Sequence, residues 1–208
     1  MAMPGIDREY ADQQMVESGE AALSVKELSV VHREKKSSEF WGWVRFIIGL
    51  GVAYFLVMHL IGLTRVSGDS MNPSLKSSNI LLINKWSTYW DSPAYGDVVV
   101  IRSPKLSYDI VKRVIAVSGD RVRIEDGEVY VNDNPLAELY CFGVADPMAE
   151  VSVGKSEVFV LGDNRTPGES LDSRSLELGL IAEKDIKGYA LFRLIPWGGI
   201  PKPIDLGG

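Results

Sequence analysis

From Tyr108 to Val131 the chain reads YDIVKRVIAVSGDRVRIEDGEVYV, and two kinds of strand patterning are packed into it. After its opening Asp109, the segment Asp109–Val117 is a nearly continuous apolar run, interrupted only by Lys112 and Arg113, as expected of a strand buried on both faces. Beyond the Ser118-Gly119-Asp120 turn the period becomes two. Val122 and Ile124 alternate with charges over Arg121–Glu125, Val129 and Val131 do so over Glu128–Val131, and Asp126-Gly127 lies between as a two-residue hairpin turn. Short Val- and Ile-rich runs recur outward at Ile80–Asn84, Asp97–Arg102, Glu157–Leu161 and Tyr189–Ile195, bounded by Gly, Pro, Asn and Asp. Together these seven segments predict a mainly β, antiparallel domain. The dipeptide Gly-Asp closes or opens strands at Gly96, Gly119 and Gly162, where Gly supplies backbone freedom and Asp can accept from nearby amides.

Upstream the pattern is different. Phe46 to Leu63 is uncharged, with His59 as its one polar interruption, and Trp41 and Trp43 stand at its entrance. About 20 apolar residues cross a bilayer as a helix, so this stretch reads as a single transmembrane anchor. It is preceded by too long a leader for a cleaved secretory signal. Arg33, Lys35, Lys36 and Arg45 lie before it, and Arg65 is the only basic residue just after it, which predicts a cytoplasmic N-terminus. The expected organisation is a mostly disordered cytoplasmic tail over residues 1–42, an anchor over 43–63 and an extracytoplasmic β domain over 64–208.

Composition narrows the chemistry. The net charge is −6, and residues after 63 carry 16 Lys and Arg against 20 Asp and Glu, so nucleic acid is not an expected partner. One cysteine, Cys141, excludes an intrachain disulfide framework and a Cys-rich zinc site. His32 and His59 are the only histidines, so the β domain contains no imidazole for a Ser-His-Asp triad or a His-based metal centre. Carboxylates and lysines remain as bases.

Three segments carry unusual polar chemistry. In VSGDSMNPSL, residues 66–75, Ser70 sits on a constrained bend after the anchor. In YDIVKRVIAV, residues 108–117, Lys112 shares a face with Ile110, Val114 and Ala116 by strand alternation. It is either a solvated edge-strand lysine that discourages aggregation or a desolvated amine of lowered pKa able to act as a base. In VFVLGDNRTPGESLDSRSLELG, residues 158–179, polar side chains crowd a loop after a strong strand, and Asp172 and Arg174 form either an exposed ion pair or part of a site.

In order along the chain, SGDSMNPSL, GDVVVIR, VKRVIAVSGDRV and GDNRTPGESLDSR followed by LG resemble the four motifs of the bacterial type I signal peptidases, the membrane-bound Ser/Lys leader peptidases. The resemblance covers residues 64–195. It implies an antiparallel β catalytic domain of the signal-peptidase type on one membrane anchor, with no cofactor and no metal. Ser70 would be the nucleophile, Lys112 the general base, and Ser170 the hydroxyl that orients the lysine amine. Asp172 and Arg174 would be a supporting ion pair, and Met71, Ile80 and Leu82 would line the substrate pocket. Implied partners are preproteins with small residues at positions −1 and −3, the lipid bilayer and the neighbouring secretion translocon. Trp86, Trp90 and Trp197 would rest on the membrane or pack in the core. Gly68 stands where some members carry an oxyanion-hole serine, and the loop Thr166-Pro167-Gly168-Glu169 is about two residues longer than usual. A peptidase dedicated to one secretion-system or pilin client, or a non-catalytic membrane-tethered β scaffold, would share much of this pattern.

Overall fold

The computed structural model describes residues 39–203, so most of the expected tail lies outside the described residues. Helix α1, Glu39–Leu60, has 22 residues and is the one helix among the described residues long and apolar enough to cross a membrane. At ~1.5 Å per residue it is about 33 Å long, and its Phe, Ile, Leu and Val side chains are exposed all round. Its bounds differ from the anchor read over 43–63. The helix starts four residues earlier and stops at Leu60, because residues 61–63 pair as a strand instead.

That strand, β1 (Ile61–Arg65), runs antiparallel to β2 (Ile80–Asn84), with Leu63 opposite Leu82. Gly62 lies so close to Ile83 and Lys85 that an added Cβ would fall within 2.6 Å of Lys85 Cε. Hydropathy does not separate such a strand from the end of an apolar helix.

The remaining strands are β3 (Val98–Ile101), β4 (Ile110–Ala116), β5 (Arg121–Glu125), β6 (Glu128–Val131), β7 (Asn134–Pro135), β8 (Met148–Ser152), β9 (Glu157–Leu161), β10 (Ile181–Ala182) and β11 (Ile186–Ile195). All seven expected strands are present, and β1, β7, β8 and β10 are additional. One sheet has the order β1-β2-β11-β3-β4-β9-β10, the other β7-β6-β5-β8, and every pairing is antiparallel. The protein is mainly β, as the strand patterning predicts.

Alternation sends side chains of the larger sheet to its two faces. Val99, Ile101, Ile110, Val114, Val158 and Val160 pack on one face with Leu178, Ile181 and Ile186. On the other face Leu81, Ile83, Val98 and Val100 gather round Met71 and Leu75, while Ile115, Phe159 and Leu161 join Val122, Ile124 and Val129 of the smaller sheet. β5 and β6 meet as the dipeptide requires: Glu125 pairs Glu128, and both Asp126 (φ 50°) and Gly127 (φ 84°) are left-handed, the signature of a type I′ turn.

β4 lies inside the sheet between β3 and β9. The edge-strand account of Lys112 is therefore excluded. Its register against β9 shifts between Val114 and Ala116, so Ile115 is bulged and Ala116 turns into the core shared with the smaller sheet. Ala116 thus does not share the Lys112 face, as simple alternation predicted, whereas Ile110 and Val114 do.

Candidate active site

Ser70, Lys112 and Met71 line one cleft of about 250 Å³, walled by residues 64–71 on one side and 108–112 on the other, with Glu169 and Leu171 between. The serine is carried past the end of β1. Val66 continues the pairing, donating its N–H to Asn79 O and accepting from Ser78 N–H, and Gly68 then turns the chain at φ +83°. Few side chains tolerate that conformation, and glycine adopts it freely. Asn72 N–H closes a turn on Asp69 O, and Met71 and Leu75, both fully buried, seat the bend on the core.

Lys112 enters from β4 and its Nζ lies 2.7 Å from Ser70 Oγ. The lysine is only 3% exposed. Burial pulls its pKa down from 10.5 to about 8, against the opposing pull of the Asp172 and Asp163 carboxylates and with help from the Arg174 charge. At that value the amine is substantially neutral in mildly alkaline solution, whereas a free lysine is almost wholly charged.

Asp172 is fully buried and Arg174 nearly so, which excludes the exposed-pair account of them. Arg174 Nε and Nη2 donate to the two Asp172 oxygens at 2.9 and 2.8 Å. Burial alone would raise the Asp172 pKa, but the Arg174 bonds and charge outweigh it and hold the carboxyl below its ordinary value. Asp172 Oδ2 also accepts the Gly162 N–H at 3.2 Å. An added Cβ at Gly162 would fall 2.3 Å from Ser70 O and 2.3 Å from Ser170 Oγ, so a glycine is needed for the two segments to touch. Ser170 Oγ is buried beside this contact, and among the described residues no hydrogen bond reaches it, from Lys112 or elsewhere.

The Gly162-Asp163 pair departs from turn chemistry. Asp97 and Asp120 do accept backbone amides, of Ala94 and Val117. Asp163 instead forms a fully buried bidentate pair with Arg113, at 2.8 and 2.7 Å. Arg113 also stacks on the Tyr140 ring, 4.1 Å from its centroid. Two residues further, Arg165 donates Nε to Gly162 O at 2.8 Å and both terminal nitrogens to Glu138, at 2.6 and 2.5 Å. Tyr140 donates its hydroxyl to the same carboxylate at 2.7 Å. Cys141, half-buried beside them, has its thiol pushed up to about 12 by burial and then by Glu138. Asn164 joins this region to the nucleophile bend, its N–H donating to Ser70 O at 3.0 Å and its Nδ2 to Asp69 O at 3.3 Å.

Of the expected pocket residues only Met71 borders the cleft. Ile80 and Leu82 do not line it. Val66, Ile110, Val111 and Leu171 supply the apolar lining instead. Glu138 and Tyr140 were not legible as site residues, since they occupy a stretch without strand period and meet their partners only through the fold.

The pattern of the family described as "Signal peptidase, peptidase S26" matches residues 40–197. The chain belongs to the signal peptidase family. It is 32% identical over 176 residues to a signal peptidase I of Bacillus amyloliquefaciens, covering 79% of this chain and 90% of the relative. To a probable signal peptidase I-1 of Synechocystis it is 36% identical over 148 residues, covering 64% of this chain and 72% of that protein. A solved signal peptidase I from Enterococcus faecalis is 25% identical, covers 48% of this chain and 97% of that one, and superposes with a TM-score of 0.40. As a signal peptidase the protein is a serine endopeptidase.

Proposed function

We propose that this signal peptidase removes N-terminal signal peptides from exported preproteins by a Ser70/Lys112 dyad. The observation that carries the reading is the 2.7 Å approach of Lys112 Nζ to Ser70 Oγ with the amine buried and its pKa lowered. Neutral Lys112 takes the Ser70 proton as Oγ bonds to the scissile carbonyl carbon. The resulting oxyanion is held by backbone donors, among them the Ser70 N–H, which has no acceptor among the described residues. As the tetrahedral species collapses, the ammonium proton passes to the departing amine, leaving an ester on Ser70. Water, deprotonated by the again neutral Lys112, hydrolyses that ester and frees Ser70. Asp172 and Arg174 support the loop that carries the site, and Ser170 stands beside it; this chemistry calls for no cofactor.

Met71, Val66, Ile110 and Val111 leave a shallow apolar cleft, which suits small substrate side chains at positions −1 and −3. The anchor would place residues 1–42 in the cytoplasm and the β domain outside the cytoplasmic membrane, near the translocon. Trp86, Trp90 and Trp197 are exposed and not core residues, which suits contact with the bilayer surface. The deciding experiment is preprotein cleavage by Ser70→Ala, expected to be abolished with the melting temperature unchanged; retained cleavage refutes the dyad. Protease added outside spheroplasts should digest the β domain and spare the tail, and the reverse pattern refutes the orientation.

A further inference from the structure

The two arginine pairs behind the catalytic cleft are joined by a short strap, Glu138-Leu139-Tyr140, that belongs to none of the four motifs. We infer that Glu138 is a positioning residue for the cleavage reaction, acting through Arg165 on the backbone that holds the nucleophile bend. The inference rests on Ser70 and Lys112 being the reacting pair.

The mechanical path is short. Glu138 clamps both terminal nitrogens of Arg165, leaving Nε to donate to Gly162 O. The opposite side of the same peptide segment is held where Gly162 N–H donates to Asp172. Gly162 bears directly on Ser70 O, and Asn164, enclosed between the Arg113-paired Asp163 and the Glu138-paired Arg165, donates its N–H to that same oxygen. The strap is fixed at its far end as well, since Phe142 N–H donates to Asp163 O and Arg165 N–H to Phe142 O. Tyr140 ties the arginines together by presenting its ring to Arg113 and its hydroxyl to Glu138. None of these residues lines the cleft that holds Ser70 and Lys112. The side chains of Arg165 and Glu138 are 3% and 10% exposed, so water does not replace a lost partner readily. If Glu138 is lost, Arg165 must seek another acceptor, Gly162 O loses a fixed donor, and Ser70 Oγ drifts relative to Lys112 Nζ.

The test measures kcat, KM and melting temperature for the full-length protein with a signal-peptide substrate. Glu138→Gln keeps the shape and removes the charge; kcat should fall about 10- to 100-fold with KM within about twofold, the cost of a small misplacement of reacting groups. A kcat within about twofold of the parent overturns the inference. The second variant pairs Glu138→Leu with Arg165→Met, so that no charge is left buried alone. It should regain most of the melting temperature lost by Glu138→Leu while kcat stays low, because Gly162 O still lacks its Arg165 donor. Recovery of kcat together with stability would make the strap structural only and overturn the inference. Should Ser70→Ala still cleave, the reacting pair has been misassigned, and that failure is distinct from either outcome at Glu138.

Discussion

Lys112 couples catalysis to stability through a single proton. Its folded pKa, about 8, lies below the ordinary 10.5, so between these values the unfolded chain binds the proton and the folded protein does not. Stability therefore rises with pH across that window, and the penalty is fully present below it, at about 3 kcal/mol. Lys112→Met should be inactive yet more stable at pH 7 by about 1–3 kcal/mol, and melting curves should show the gain vanishing by about pH 10.5. kcat/KM of the parent should climb with pH along a limb centred near 8. Lys112→Arg should be inactive at every pH, since guanidinium does not release its proton. Gly162 is a second single-residue control. The Cβ of Gly162→Ala would fall 2.3 Å from Ser70 O, which is backbone and cannot swing aside. We expect a loss of at least about 100-fold in kcat/KM and a destabilisation of about 2 kcal/mol from overpacking, read from kinetics and thermal melts.

Among the elements, the β5-β6 hairpin lends itself to a clean separation of fold from function. Gly127→Ala puts a side chain at φ 84° and a Cβ 2.5 Å from Val144 Cγ1. It should cost about 1–2 kcal/mol by thermal melt with kcat/KM changed less than about twofold, because neither Gly127 nor Val144 lines the cleft. This hairpin was legible because its signals are local: a period of two, a turn dipeptide and a period of two again. The same holds for β2, β3, β9 and β11, which lie within a few residues of the expected segments. What was not legible depends on pairing. Ile61–Arg65 reads as the end of an apolar run until β2 claims it, and Met148–Ser152 has too little alternation to stand out from a loop. The bulge at Ile115 that turns Ala116 away from Lys112 is set by β9, not by β4 itself. Ser70 and Lys112 came through the motifs, whereas Glu138 needs Arg165, 27 residues away, to acquire any meaning.

At the scale of the molecule, α1 passes into β1 with no residue between them, Leu60 to Ile61. A soluble form must therefore be cut before Ile61, earlier than the apolar run suggests. A chain beginning at Leu60 should fold and cleave a short signal-peptide substrate. One beginning at Val66 should lose several degrees of melting temperature and most of its activity, because β2 becomes an unpaired edge and the bend bearing Ser70 loses the strand that delivers it. The lone thiol of Cys141 adds a built-in reporter, since no other cysteine in the chain competes for a label. Held protonated by burial and by the Glu138 charge, it should react slowly with a maleimide or disulfide dye, at a rate governed by how often the segment beside it opens. Labelling kinetics at this one sulfur thus give a clock for local breathing behind the cleft, readable on the unmodified enzyme with and without a bound peptide.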